Sequence, residues 1–339
     1  MNIIKSPLVS IIIPLFNCEL YVEETLQSLI NQSYTNWESI IVDDGSIDSS
    51  ISIVRKKQKQ DNRIFFHKRE NLPKGGSVCR NIGIKKAKGK YVIFLDSDDL
   101  LSSTCLENRV KLIEQNLDLD FAVFPMQQFT ISTTVGQLTS RLNVKNHLAH
   151  FIATDCIWQI TSPIWKKKIL LKLGGFDERL PRLQDPNLHM RALLLDGIKY
   201  KVYPHERADC FYRVLPKKNN TNFNEIAFSA YCMHSKDIIA RLEDFKKRSD
   251  YNKYIVPAFE WVILASFLYF WSSSNNINHK GKIILSKFTS IQPIKVWIKV
   301  YIKIIILMHK TRLNKFSLVN VIIHKIHLKI LSKKLMNLG

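Results

Sequence analysis

Residues Tyr91–Asp99 read YVIFLDSDD, a short apolar run followed by Asp96, Asp98 and Asp99. The run Tyr91–Leu95 is typical of a buried β-strand. The three carboxylates after it have no basic residue beside them in the sequence. Carboxylates this close together repel, and some must protonate unless a cation lies among them. A divalent metal ion removes that repulsion, so this stretch predicts a strand that ends at a binding site.

The chain before this stretch alternates between strands and helices. Apolar β-branched runs predict strands, and apolar residues three or four apart predict helices. The predicted elements are, in order, a strand Leu8–Ile13, a helix containing Val22, Leu26, Leu29 and Ile30, a strand Trp37–Val42, a helix Ser49–Gln60, a strand Ile64–His67, a helix Ser77–Lys88 ended by Gly89, and the strand Tyr91–Leu95. This order predicts an α/β fold with a mostly parallel, Rossmann-like sheet flanked by helices.

The second half of the chain carries weaker patterns. Helices are predicted over 104–117 and Asp185–Asp196, and a strand near Tyr200–Tyr203. Few elements are predicted between Phe121 and Phe176.

Three predicted strands end in polar motifs: PLFN (Pro14–Asn17), VDDGS (Val42–Ser46) and LDSDD (Leu95–Asp99). In a parallel sheet these ends lie on one edge, where ligands bind. Mg²⁺ and Mn²⁺ take oxygen ligands, usually one or two carboxylates together with phosphate oxygens. The alternative is that the Asp residues form turns or cap helices. We favour that alternative for Asp48 and Asp99.

Four motifs together resemble the family 2 inverting glycosyltransferases, which have the GT-A fold. They are VSIIIPLFN, IIVDDGSIDSS, NLPKGGSVCRNIGIKKAKGKYVIFLDSDD and GGFDERLPRLQDPNLHMRALLLDG, and the resemblance covers roughly residues 7–215. It implies a GT-A type sheet and a Mn²⁺ or Mg²⁺ cofactor. It also implies transfer of a sugar from a nucleotide diphosphate donor, expected to be UDP-linked, to a glycan or lipid-linked glycan in cell-surface polysaccharide synthesis.

The same resemblance implies a donor site at the strand ends. Pro14 and Phe16 would shape the nucleobase pocket, although core packing is an equal alternative for Phe16. Asp44 would accept the N3–H of uracil. Arg80 would support the diphosphate, with an ion pair to the nearby carboxylates as the alternative. Asp96 would bind ribose or support the metal.

The metal and the reacting groups are expected from further motif positions. Asp98 would bind the metal directly, and Asp185 would be the catalytic base, with a helix N-cap before Pro186 as its alternative. Acceptor or donor-sugar contacts are expected from Gly175, Gln184 and Arg213. Gln184 replaces an acid that the family usually has before the base.

A second departure from the family pattern follows Arg213. Leu215 stands where family members often have His, in YRVL over Tyr212–Leu215. A metal or phosphate contact that the family makes at this position would be missing, or His205 or His234 would supply it.

Charge is unevenly distributed along the 339 residues, whose net charge is +21. Glu260 is the last acidic residue, and Lys recurs every fourth position in Ile294–Met308 and Val321–Leu335. As helices, these two segments would each have a stripe of lysines and a broad apolar face, which favours binding to an anionic membrane surface. The alternative is a helical subdomain packed on the rest of the protein. Runs of aliphatic residues between the lysines argue against nucleic acid as a partner. Six cysteines without a CxxC pair favour reduced thiols in the cytoplasm.

These patterns predict two domains. Residues 1–220 would be the GT-A catalytic domain, with a nucleotide-sugar half of about 1–100 and an acceptor half of about 101–220. Residues 221–339 would be a mainly helical basic region, peripheral at the inner face of the membrane. The competing functional hypothesis is a catalytically impaired relative that only binds membrane or glycan. Intact Asp44, Asp96, Asp98 and Asp185 argue against it.

Overall fold

The computed structural model describes residues 6–70, 72–130, 133, 136–215 and 223–262. The chain divides into two compact units. The first comprises Met1–Asn143, Cys156–Glu178 and Arg191–Lys217, and the second comprises Val144–Asp155, Arg179–Met190 and Lys218–Gly339. The division into domains at residue 220 stays a prediction. The basic segments Ile294–Met308 and Val321–Leu335 lie outside the described residues.

Ten strands and nine α-helices are assigned in the described part of the chain. The strands are β1 Val9–Leu15, β2 Trp37–Asp43, β3 Ile64–Lys68, β4 Tyr91–Phe94, β5 Leu100–Leu101, β6 Phe121–Val123, β7 Met126–Phe129, β8 Pro163–Lys166, β9 Tyr200–Val202 and β10 Cys210–Arg213. The helices are α1 Val22–Ile30, α2 Ser50–Gln60, α3 Gly76–Lys86, α4 Cys105–Glu114, α5 His147–Ile152, α6 Lys167–Lys172, α7 Gln184–Leu193, α8 Phe223–Ala240 and α9 Leu242–Lys246.

The main sheet of the first unit has seven strands in the order β3-β2-β1-β4-β8-β6-β9. Strands β3, β2, β1 and β4 run parallel, whereas β8 is antiparallel to both β4 and β6. Strand β1 is apolar along most of its length and almost wholly buried, as expected for a strand covered on both faces. The predicted α/β fold with a mostly parallel sheet is therefore confirmed.

Two glycines mark close approaches to β1. A Cβ on Gly83 of α3 would lie 2.3 Å from Cγ2 of Ile12, so this helix packs tightly against the central strand. Helix α3 ends at Lys86, two residues before the predicted end, and Gly89 does not terminate it. Gly89 instead lies against the start of β1, where a Cβ would be 2.7 Å from the carbonyl oxygen of Leu8.

A second sheet in the first unit has three strands in the order β5-β10-β7. Strand β10 is antiparallel to β5 and parallel to β7. The sequence did not predict this sheet, because β5 has only two residues. Its position matters for the site, since β5 follows the Asp96–Asp99 loop directly.

The second unit is helical in its described residues. The side chain of Asn146 caps α5 by accepting a hydrogen bond from the backbone N–H of Ala149. His234 of α8 is fully buried and contacts the carbonyl of Ile152 at 3.3 Å. Across the part of the chain that the structure covers, no helix combines the length and apolarity needed to cross a bilayer.

Candidate functional site

The polar ends of β1, β2 and β4 meet at one edge of the main sheet, because β1 lies between the other two strands. The backbone N–H of Asp44 donates to Leu15 at 2.8 Å, and that of Leu95 donates to Ile12 at 3.0 Å. The thiol of Cys18, just after β1, donates to the carbonyl of Ser97 at 3.3 Å. The loops that follow the three strands therefore start side by side, as the motifs predict.

The loops after β1 and β2 are bound to each other. Asn17, at a φ of 46°, accepts a hydrogen bond from the backbone of Ile47 at 2.9 Å. Glu19 accepts one from the backbone of Ser49 at 2.9 Å, and Asp48 accepts one from that of Glu19 at 3.1 Å. Phe16, which directly precedes Asn17, has 54% of its surface exposed.

Exposure of Phe16 excludes the core-packing alternative. Pro14, within β1 and opposite Val42 of β2, is partly buried. Both residues lie at the edge where the three loops begin.

The two aspartates that end β2 have different partners. Asp43 is fully buried, and its carboxylate accepts the backbone N–H groups of Gly45 and Ser46 at 3.0 and 3.1 Å. It is a turn former. Asp44 accepts a hydrogen bond from Nε of Arg69 at 2.6 Å and from the backbone N–H of Gly75 at 3.1 Å. Only Asp44 therefore has a carboxylate directed away from its own turn.

Arg69 was missed by sequence reasoning. It follows β3, whose end lies beside that of β2, and its backbone N–H donates to Asp43 at 3.0 Å. The parallel order of β2 and β3 is the signal that could have found it. Burial, and then Asp44, raises the pKa of the nearby Cys79 thiol to about 12, so this cysteine stays protonated.

The three carboxylates after β4 lie in different environments. Asp96 is partly exposed and forms an ion pair with Nη2 of Arg80 at 2.5 Å. Arg80 is thus the basic residue that the linear sequence does not place beside the carboxylates. Asp99 is buried and accepts the backbone N–H of Arg213 at 2.9 Å. Burial, followed by repulsion from Asp96 and Asp98, raises its pKa well above the ordinary value.

Asp98 is the carboxylate best suited to an added cation. Burial, and then repulsion from Asp96, raises its pKa. Among the described residues, no side chain or backbone group of another residue donates a hydrogen bond to its carboxylate. A divalent ion is a chemically fitting partner, since hard cations prefer oxygen ligands. No three His, Cys, Asp or Glu side chains of the described chain are grouped to hold a metal by themselves.

Arg213 of β10 fixes the same loop from the other side. Its Nε donates to the carbonyl of Asp98 at 2.8 Å, and its Nη2 donates to Glu24 of α1 at 2.6 Å. The guanidinium also stacks on Tyr21 and Phe129, at 4.8 and 4.5 Å from the ring centres. Arg213 thus positions the Asp98 loop, and a direct sugar contact by this residue stays a prediction.

Gly175 lies against α3. It has a φ of +71°, and a Cβ there would be 2.3 Å from Oδ1 of Asn81. The carboxamide of Asn81 accepts the N–H of Phe176 at 2.8 Å and donates to the carbonyl of Phe176 and to Glu178, at 2.9 and 2.8 Å. The role that the structure gives Gly175 is this close approach, and a sugar contact stays a prediction.

Asp185 and Gln184 begin α7 in the second unit. The helix starts at Gln184, one residue before the predicted start, so Asp185 lies within the first turn. Nε2 of Gln184 donates to the carbonyl of Leu180 at 3.2 Å. Of the two histidines considered as substitutes at Leu215, His205 is exposed and His234 is buried in the second unit. Burial lowers the pKa of His234, which keeps its ring neutral.

Residues 10–166 match the family model for Glycosyl transferase family 2. The minor teichoic acid biosynthesis protein GgaB of Bacillus subtilis is 33% identical over 249 residues, which cover 69% of this chain and 27% of that protein. The chain spans 44% and 56% of two further curated relatives, both described as uncharacterized glycosyltransferases.

Two solved structures share the fold. One is S. aureus TarS 1-349 in complex with UDP-GlcNAc, with a TM-score of 0.57, 19% identity, and coverage of 83% of this chain and 91% of that one. The other is the mannosyltransferase PcManGT from Pyrobaculum calidifontis in complex with GDP-Man and Mn²⁺, with a TM-score of 0.56, 18% identity, and coverage of 98% and 87%. The predicted GT-A type architecture is confirmed by this likeness.

Proposed function

Because this chain belongs to glycosyl transferase family 2 through residues 10–166, we propose that it is a metal-assisted, inverting glycosyltransferase. It moves a sugar from a nucleotide diphosphate, UDP in the first instance, to a hydroxyl of a glycan or lipid-linked glycan. One observation carries the proposal. The ends of three adjacent parallel strands present an exposed aromatic ring, a directed carboxylate and the Asp96–Asp99 cluster at one edge of the sheet.

The donor nucleotide is held by groups already ordered at that edge. Phe16 and Pro14 offer apolar surface to a flat base. The carboxylate of Asp44 is fixed through Oδ1 by Arg69 and Gly75. A carboxylate accepts about four hydrogen bonds, so Asp44 retains capacity for the N3–H of uracil. Arg80, which is held by its ion pair with Asp96, is proposed to support the diphosphate. TarS, which was crystallised with UDP-GlcNAc, supports a UDP-linked donor.

The metal proposed is Mn²⁺ or Mg²⁺, held by Asp98 with support from Asp96. When bound, such an ion offsets the negative charge that grows on the leaving diphosphate. Burial and Asp96 disfavour the charged form of Asp98 in the absence of a cation, and a bound metal ion would stabilise that charged form. Arg213 holds the backbone of Asp98 through a 2.8 Å hydrogen bond. The Mn²⁺ in the mannosyltransferase complex supports a metal in this fold.

The base proposed is Asp185, on the family resemblance and on its place in the first turn of α7. It would take the proton of the acceptor hydroxyl as that oxygen attacks the anomeric carbon and the nucleoside diphosphate leaves. Loss of a general base typically lowers turnover by roughly a hundredfold or more. We expect Asp185→Asn to show that loss in transfer while binding UDP as tightly as wild type does. Wild-type transfer by this variant would assign the base elsewhere.

The acceptor proposed is a cell-surface polysaccharide or its lipid-linked intermediate, in line with the name of GgaB. The place proposed is the cytoplasmic membrane face, to which residues after about 250 would attach the protein without spanning the bilayer. Attraction of each Lys or Arg to an anionic leaflet is worth about 1 kcal/mol and is screened by salt, whereas binding through apolar residues is not weakened by salt. The fraction of protein that floats with anionic liposomes should fall only partly in high salt, and no protein should float after deletion of residues 294–339. A full-length protein that stays soluble on anionic liposomes at low salt would refute membrane attachment.

The experiment that tests the class of function is a hydrolysis screen. The full-length protein is incubated with a panel of UDP- and GDP-sugars, with Mn²⁺ and with EDTA. We expect release of the nucleoside diphosphate from at least one UDP-sugar, only with the metal. Release that is independent of metal would contradict the proposed chemistry, and no release from any donor would contradict the proposed class.

A further inference from the structure

A groove of about 560 Å³ opens in the first unit between α1 and the three-stranded sheet. Its volume lies within the range of roughly 300–1,000 Å³ that is typical of ligand sites. One wall is formed by Glu24, Gln27 and Ser28 of α1 and by Asn31, the C-cap of that helix. Residues three or four apart share one face of a helix, so this wall is a continuous polar stripe along α1.

The floor of the groove is a row of three residues across the small sheet. Phe211 of β10 pairs with Leu100 of β5 and with Gln127 of β7. The preceding residue of β10, Cys210, is fully buried in the core. Successive side chains of a strand point to opposite faces, so Phe211 faces the groove. Phe211 is partly exposed there, which leaves part of its ring accessible.

Two of the three charged residues that line the groove are paired with neighbouring groups, and the third, Arg207, forms no ion pair among the described residues. Glu24 is paired with Arg213 at 2.6 Å, and Asp209 is paired with the buried Arg109 at 2.6 Å. The remaining polar lining consists of amides and hydroxyls, among them Gln27, Asn31, Ser102, Asn108 and Gln127. Amides and hydroxyls can both donate and accept hydrogen bonds, as sugar hydroxyls do, and an aromatic face packs well against the C–H face of a sugar ring.

From this lining we infer that the groove binds a hydroxyl-rich glycan chain, the part of the acceptor that is not itself reacting. The inference rests on the proposed function and adds a second glycan-binding site to it. One end of the groove is joined to the Asp96–Asp99 loop, because Arg213 bonds Glu24 in the wall and the carbonyl of Asp98. A chain bound along α1 therefore has one end next to the loop that positions Asp98.

The test compares two Trp substitutions at neutral, exposed amides in or next to the same helix. Asn108 of α4 lines the groove, and Asn108→Trp should obstruct it. Gln115, the residue that ends α4, is exposed and outside the lining, so Gln115→Trp is the matched control. Asn108→Ala, which cannot crowd the fold, is the milder second variant.

Binding of the full-length proteins is measured on an array of neutral and anionic oligosaccharides, with UDP and Mn²⁺ titrated separately. We expect wild type and Gln115→Trp to bind a common set of glycans. Asn108→Trp should bind them at least tenfold more weakly, with unchanged UDP affinity and Asn108→Ala in between. Glycan binding that Asn108→Trp retains, or wild-type binding to no glycan on the array, would overturn the groove assignment. Absence of UDP binding by wild type would instead contradict the proposed function.

Discussion

Removal of Asp209 should destabilise the first unit severely, because it leaves Arg109 charged and buried. Arg109 has no exposed surface, and its guanidinium bonds both carboxylate oxygens of Asp209, at 2.8 and 2.6 Å. A third bond joins Nη1 to the carbonyl of Thr161 at 2.8 Å. Breaking a buried pair from one side costs about 3–5 kcal/mol. At roughly 2–4 °C per kcal/mol for a unit of this size, Asp209→Leu should lower Tm by roughly 6–20 °C.

The double variant Arg109→Met/Asp209→Leu separates the buried charge from lost packing. It leaves no charge in the interior, and replacement of a buried pair by apolar residues is often close to neutral. We expect it to recover at least half of the Tm lost by Asp209→Leu in thermal unfolding. Asp118→Asn, at an exposed ion pair with Lys199 of 3.1 Å, is the control and should leave Tm unchanged. A double variant no more stable than Asp209→Leu would show that the buried charge of Arg109 does not cause the loss.

Three further predictions concern other positions. Gly175→Ala should lower stability more than Gly174→Ala, because both residues have a φ near +70° but only a Cβ at 175 would lie 2.3 Å from Asn81. Equal Tm values would show that Asn81 moves aside without cost. Arg213→Lys loses the planar guanidinium that bonds Asp98 and Glu24. The variant should therefore lose about 1.5–3 kcal/mol of the free energy of unfolding and bind UDP with Mn²⁺ more weakly. Unchanged UDP affinity in calorimetry would contradict a positioning role. Burial lowers the pKa of His189 to about 3, whereas the pKa of an unfolded His is about 6.5. The neutral ring therefore leaves folding stability intact above about pH 6.5, and stability falls by about 1.4 kcal/mol per pH unit below it. His189→Phe should lose less Tm than wild type between about pH 7 and pH 5, and parallel losses would be evidence against this.

The parallel sheet and its polar edge could be predicted because both are local patterns. The apolar runs of β1, β2 and β4 are continuous, and each ends in a motif that a parallel arrangement carries to the same edge. Predicted and observed bounds of these strands differ by no more than two residues. The placement of Asp44, Asp96 and Asp98 at this edge could therefore be predicted, as could an ion pair of Arg80 with one of the carboxylates as an alternative role. The pairing of Asp44 with Arg69 could not.

The partners depend on contacts between distant parts of the chain. Arg109 and Asp209 are 100 positions apart, and Arg213 reaches Glu24 across 189 positions. No periodicity links such pairs. The small sheet was missed for the same reason, since β5 is defined only by its pairing with β10. Gly89 was interpreted from a local pattern as the residue that ends α3. The structure instead requires glycine there because the start of β1 lies so close.

The main proposal is that the edge of the main sheet binds a nucleoside diphosphate together with a divalent metal through Asp98. Its most direct measurement is calorimetric titration of UDP into the full-length wild type and Asp98→Ala, with Mn²⁺ and with EDTA. Asp118→Asn, which removes an exposed carboxylate elsewhere, serves as the control. We expect Mn²⁺-dependent UDP binding by wild type and the control, and loss of the metal-dependent part in Asp98→Ala. Equal Mn²⁺-dependent binding by Asp98→Ala and wild type would contradict it.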